Sequence, residues 1–83
     1  MSKVVEVEIK DNCGLHAKKC MNICKIAQNF KSTMSLAHKG YEIDLKSILG
    51  LMSLCVSSGE KVKLSISGED SEAAVNALLP ILQ

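Results

Sequence analysis

Only two aromatic side chains occur in the 83-residue sequence, Phe30 and Tyr41, and there is no tryptophan. Proteins that bind single-stranded nucleic acid need aromatic platforms for the bases, so that function has little footing here. Charge of one sign is also scarce. The formal net charge is +1, which leaves no basic footprint for a duplex. No apolar run reaches the roughly 20 residues that a bilayer crossing needs. The opening stretch MSKVVEVEIK alternates charged and apolar residues and lacks the apolar segment of a signal peptide. These absences point to the cytosol, with no nucleic-acid or membrane partner. The four cysteines then read as reduced thiols and not as a disulfide framework. Linkers, low-complexity tracts and internal repeats are missing too, so residues 1–83 are expected to form one small domain.

The hydrophobic share of 47% suffices for a core, although a domain this short is only modestly stable. Val5, Val7 and Ile9 alternate with Glu6, Glu8 and Lys10, which predicts a half-buried strand over residues 3–9. Asp11-Asn12-Cys13-Gly14 is a turn or loop. From Ala17 the period changes. Ala17, Cys20, Ile23, Cys24, Ala27 and Phe30 form one helical stripe, and the helix is expected to end near Asn29. Met34 and Leu36, then Tyr41, Ile43 and Leu45, alternate again around His38-Lys39-Gly40, which predicts a hairpin. Ser47 is a candidate N-cap for a short helix through Leu54. Val62, Leu64 and Ile66 mark the cleanest strand, Asp70 can cap a last helix, and Pro80 should end or kink it. The order β-α-β-β-α-β-α, with one apolar face per strand, gives a two-layer α+β domain.

Three stretches, GLHAKKC, DLKSILGLMSL and SGEDSEAAVNAL, resemble the histidine-containing phosphocarrier protein HPr family of the bacterial phosphotransferase system. GLHA and KSILGLMSL at this separation form a specific combination, and the resemblance extends over nearly the whole chain. It implies an open-faced β-sandwich, a four-stranded antiparallel sheet covered on one face by three helices. It also implies a monomeric relay that is not a turnover enzyme. Such a relay accepts phosphate from the phosphoenolpyruvate-dependent enzyme I and passes it to the A domains of enzyme II. No cofactor and no metal are implied.

By this resemblance His16 is the phosphorylated residue, and the chemistry suits the place. A neutral imidazole nitrogen is a competent nucleophile near neutral pH. The unpaired amides of Ala17 and Lys18 at a helix N-terminus, together with the Lys18 ammonium, would stabilise the added charge. The bland alternative for His16 is an exposed capping residue without chemistry. HPr proteins usually read His-Ala-Arg-Pro-Ala where this chain has His-Ala-Lys-Lys-Cys. Lysine cannot make the bidentate fork of arginine, and Lys19 replaces a proline that is well tolerated in a first helical turn. A diverged regulatory or interaction protein with weak phosphocarriage is therefore the competing reading. His38, at the hairpin, is expected to be a solvated turn residue.

The resemblance also makes Ser47 a site of regulatory phosphorylation. A dedicated kinase and a catabolite-control transcription factor would then be partners; the bland role is the N-cap alone. A phosphate there would add nearly two negative charges within the docking surface. The short helix carries Ile48, Leu49, Leu51, Met52 and Leu54, more apolar side chains than a two-layer domain can bury. The family pattern puts Leu49 and Met52 outward, with Ile48 at the edge and Met21 beside them, as a partner interface. Cys13, His16, Cys20 and Cys55 could form a metal site on ligand type alone, but their spacing matches no common zinc pattern. Cys20 and Cys24 fall on the buried stripe and read as structural thiols. Cys13 and Cys55 read as exposed, Cys13 being the more reactive by its place near a helix start, and Cys55 stands where the family often has glycine.

Overall fold

The structure, a computed structural model, describes residues 2–83. Its elements are β1 (Ser2–Glu8), α1 (Ala17–Ala27), β2 (Thr33–His38), β3 (Tyr41–Asp44), α2 (Ile48–Ser53), β4 (Lys61–Ser67) and α3 (Ser71–Leu82). The strands form one antiparallel sheet in the order β1-β4-β2-β3. Strand alternation decides which face is covered. Val62, Leu64 and Ile66 of β4 and Met34 and Leu36 of β2 point one way, with Val7 of β1. Cys20, Ile23 and Ala27 of α1, Leu51 of α2 and Ala74, Leu78 and Leu82 of α3 pack over that face. Each fully buried Leu or Ile contributes about 1.5–3 kcal/mol of transfer free energy. The other face stays open. There Glu6 lies opposite Lys63 and Glu8 opposite Lys61, all exposed, as favourable cross-strand charge pairs.

Several boundaries depart from the sequence reading, each for a local reason. α1 stops at Ala27, because Asn29 and Phe30 turn back with amides on the Ile26 and Ala27 carbonyls, at 3.0 and 3.2 Å. Leu45 lies in the turn after β3, yet it is fully buried and its amide donates to the Met34 carbonyl at 3.1 Å. Asp70 occupies the N-cap position of α3 without capping it. Its carboxylate instead accepts the Lys31 and Ser32 amides, at 2.8 and 3.0 Å, and the Ser32 hydroxyl. Those bonds hold its carboxyl below the usual carboxylate range, the Ser32 hydroxyl foremost. Pro80 sits inside α3, which continues to Leu82. An exposed proline this close to the helix end forfeits one backbone bond, and the fully buried Leu82 anchors the last turn.

His38 is not a solvated turn residue. It is the last residue of β2 and is 7% exposed. Met34, Leu36 and His38 share the core-facing register, and the turn consists of Lys39 and Gly40 alone. Their φ values of 50° and 86° are those of the type I′ turn that favours tight hairpins. His38 Nε2 lies 3.4 Å from Glu60 Oε1, and Lys39 Nζ lies 2.8 Å from Glu60 Oε2. Glu60 thereby ties the hairpin to the loop before β4. Hydrogen bonding from Lys39, then from the Ser57 amide, holds the Glu60 carboxyl down to about 2, from a usual 4.5. A carboxylate whose folded value is depressed contributes stability above its unfolded value and loses it as pH falls through the folded one. Urea melts across pH are therefore expected to show stability falling between pH 4.5 and about 2. The fall should be smaller in Glu60→Gln, and an identical acid dependence in both proteins would refute this assignment.

Candidate functional site

A short loop delivers His16 to the start of α1. The Asp11 carbonyl accepts the Gly14 amide and the Asp11 carboxylate Oδ1 accepts the Cys13 amide, both at 2.9 Å. This is an Asx-type turn built by a short acidic side chain. Gly14 has φ +66°, and a Cβ there would lie 2.2 Å from the Val56 carbonyl oxygen. Leu15 then donates its amide to that same carbonyl at 3.0 Å. The loop is thus clasped against residues 55–57 by backbone, and glycine alone permits the approach.

His16 is the N-cap of α1, with extended backbone. Its Nδ1 accepts the Lys19 amide at 3.4 Å, a long bond. An acceptor nitrogen carries a lone pair, so the neutral ring has its proton on Nε2. The ring is partly exposed, its side chain 38% accessible. Neither the Ala17 nor the Lys18 amide has an acceptor among the described residues. The ring therefore does not point into the core, and the amides expected to receive an anion are open. Nδ1 faces the positive end of the helix dipole.

The two lysines differ. Lys18 is exposed and lines the depression beside the ring. Lys19 is 7% exposed, and its Nζ lies 3.7 Å from Asp11 Oδ2. The same Oδ2 lies 3.6 Å from His16 Nε2, an ion-pair distance too long for a hydrogen bond. The Cys13 amide is the main cause holding the Asp11 carboxyl below its usual range, with Lys19 and the ring adding to it. From sequence, Asp11 is a turn residue and Lys19 a helical residue off the apolar stripe, standing where the family has proline; the structure buries Lys19 instead. The usable signal for Asp11 was an aspartate three residues before a glycine, an arrangement that fixes its side chain on the backbone.

Ser47 caps α2, its Oγ accepting the Gly50 amide at 3.2 Å, and it is exposed. Leu49 and Met21 are 78% and 62% exposed, and Met52 is 45% exposed. Ile48 is half-buried against the core, at the patch edge. Leu51 and Leu54 are buried, so the short helix divides its apolar residues between core and surface.

Cys20 is fully buried and Cys24 donates its thiol to the Lys46 carbonyl at 3.0 Å. Burial, with Cys24 beside it, pushes the Cys20 thiol up, away from thiolate chemistry. Cys13 and Cys55 are exposed. Because Cys20 faces the core, the four ligands conceivable from sequence do not converge. Among the described residues no group of three or more His, Cys, Asp or Glu side chains forms a metal-binding cluster. Cys55 has φ +52°, a conformation costing a side-chain-bearing residue about 1 kcal/mol. Cys55→Gly is expected to match or exceed the parent's stability by up to about 1 kcal/mol, measured by urea melts; a clear destabilisation would contradict the strain.

The family model described as "PTS HPr component phosphorylation site" matches residues 3–83. Phosphocarrier protein HPr from Mycoplasma pneumoniae is 35% identical over 98% of this chain and 93% of its own. HPr-like protein Crh from Bacillus subtilis is 37% identical over 94% of this chain and 92% of its own. The crystal structure of HPr from Bacillus anthracis superposes with a TM-score of 0.93 at 27% identity, covering 99% of this chain and 98% of the other. Matched over nearly its full length in sequence and in fold, the chain belongs to the HPr family of phosphotransferase-system phosphocarriers.

Proposed function

We propose that this chain carries a phosphoryl group on Nδ1 of His16, accepting it from enzyme I and passing it to enzyme II A domains. One observation carries the reading: a half-exposed imidazole lone pair directed at a helix N-terminus with the Ala17 and Lys18 amides open. As the N–P bond forms, the donor's bond to phosphorus breaks and the donor keeps that electron pair. The Lys19 amide, released from the ring, becomes a third donor to the phosphate. Lys18 supplies mobile positive charge at the rim. The reacting group leaves on a partner, so the protein is a relay and not a turnover enzyme. Met21, Leu49 and Met52, with Ile48 at the edge, form the surface on which both partners would dock. No helix among the described residues is long and apolar enough to cross a membrane, and a monomer in the cytoplasm fits the role.

A second role at Ser47 is favoured by its exposure and by the likeness to Crh, described as the catabolite repression HPr of Bacillus subtilis. Phosphate on its Oγ would place negative charge inside the apolar docking surface and oppose the carrier partners. A dedicated kinase and a catabolite-control transcription factor would be its partners. Incubation with ATP and a kinase active on HPr serines should label Ser47; failure to label would remove this role. The carrier reading is tested with labelled phosphoenolpyruvate and the source organism's enzyme I. Acid-labile phosphate mapped to His16 is expected, and its absence would overturn the reading.

A further inference from the structure

Asp11 lies outside all three sequence stretches that carry the family likeness, yet its carboxylate faces the reactive ring. Oδ1 is fixed by the Cys13 amide at 2.9 Å. That bond leaves Oδ2 at 3.6 Å from His16 Nε2 and 3.7 Å from the nearly buried Lys19 Nζ. A buried lysine requires a partner, and the only carboxylate within ion-pair distance of it among the described residues is the one beside the histidine. The geometry points to Asp11 as a positioning residue that holds the ring proton on Nε2 and the lone pair on Nδ1, with Lys19 as a counterweight on the same carboxylate oxygen. This inference rests on the reading of His16 as phosphoryl acceptor.

The chemistry gives the pair opposite signs. When Nδ1 forms the N–P bond, the ring retains its Nε2 proton and becomes a phosphorylated imidazolium. Its positive charge then lies against Asp11. Transfer onward breaks the N–P bond, returns the electron pair to Nδ1 and restores the neutral ring. Loss of the Nε2 proton to solvent would instead give a neutral phosphorylated ring, a poorer leaving group. An anion beside Nε2 keeps the transferable form populated, and a cation drawing on that anion reduces the effect. The charged groups lining the depression around the ring are Lys10 and Asp11 on the loop and Lys18 and Lys19 on α1. α3 contributes Pro80 and Ile81 and is followed by Gln83; their side chains do not titrate, and the main-chain carboxylate at Gln83 is a further negative charge at this rim, common to the parent and both variants.

The test uses the full chain, Asp11→Asn and Lys19→Met, each phosphorylated by phosphoramidate, whose own N–P bond breaks with loss of ammonia. Phosphorus NMR then follows loss of the phosphohistidine signal across pH. For a partly exposed pair the expected shift is about half a pH unit. The Asp11→Asn profile should move toward acid, with a lifetime roughly twofold longer at the parent's midpoint and roughly threefold longer on its alkaline side. The Lys19→Met profile should move toward alkali by a similar amount. Asp11→Ser retains a turn-capping oxygen without the charge and replaces Asp11→Asn if that variant does not fold. Unmoved profiles, or two shifts of the same sign, would overturn the inference, because a merely structural role gives no opposed pair. Absence of transfer from enzyme I to the parent protein would overturn the carrier reading instead, leaving the phosphoramidate series to judge Asp11 on its own.

Discussion

His16→Ala is expected to accept no acid-labile phosphate from enzyme I and phosphoenolpyruvate, in gel assays where the parent labels fully. The expectation follows from the surroundings as much as from the ring. The chain has no arginine, and its other histidine, His38, is 7% exposed at the end of β2. No second imidazole therefore stands where a partner could reach it. The substitution also removes the N-cap of α1. That loss should cost less than about 1 kcal/mol, because the 3.4 Å bond to the Lys19 amide is long. His16→Asn separates the two roles: asparagine is a good N-cap but not an acceptor of phosphate. It should melt like the parent and remain unlabelled. Persistent acid-labile label in either variant would mean that the phosphate sits elsewhere.

Gly14→Ala is expected to destabilise the fold by about 2–4 kcal/mol, read as a lower urea midpoint at an unchanged slope. Two effects combine at one atom. The φ of +66° disfavours any residue with a Cβ, by about 1 kcal/mol. The added carbon would also lie 2.2 Å from the Val56 carbonyl oxygen and 3.0 Å from the Ser57 Cα. Both neighbours are backbone, so relief requires the loop to part from residues 55–57. That movement would break the bond from the Leu15 amide to Val56 and displace Asp11 and His16 together. Phosphorylation by enzyme I should slow in the same variant. A melting midpoint within about 0.5 kcal/mol of the parent would show that the clasp yields without cost.

The sheet was legible because its signal is periodic. Val62, Leu64 and Ile66 declare a buried face without any tertiary knowledge. The same rule, carried two residues past Leu36, would have placed His38 on the buried face; the polar label of histidine and the neighbouring glycine concealed it. Asp70 shows a different limit. Its carboxylate serves residues 31 and 32, nearly forty positions away, and no local pattern encodes such a partner. The exposed patch of Met21, Leu49 and Met52 could be read because the short helix had more apolar side chains than its length could bury. The place of His16 at a helix start was legible, and the open amides beside it followed from that place. Asp11 and Lys19 were not, because their meeting depends on a lysine folding back over the first turn of α1. That contact joins a loop to a helix and is silent in periodicity.

The bond from the Lys19 amide to the His16 ring has a practical consequence. Nδ1 cannot accept that hydrogen and hold phosphorus at once. In the carrier role proposed above, each loading event would exchange one acceptor for another at a single backbone hydrogen. The resonance of that hydrogen becomes a gauge of occupancy, read without isotope on the cargo and without stopping the relay.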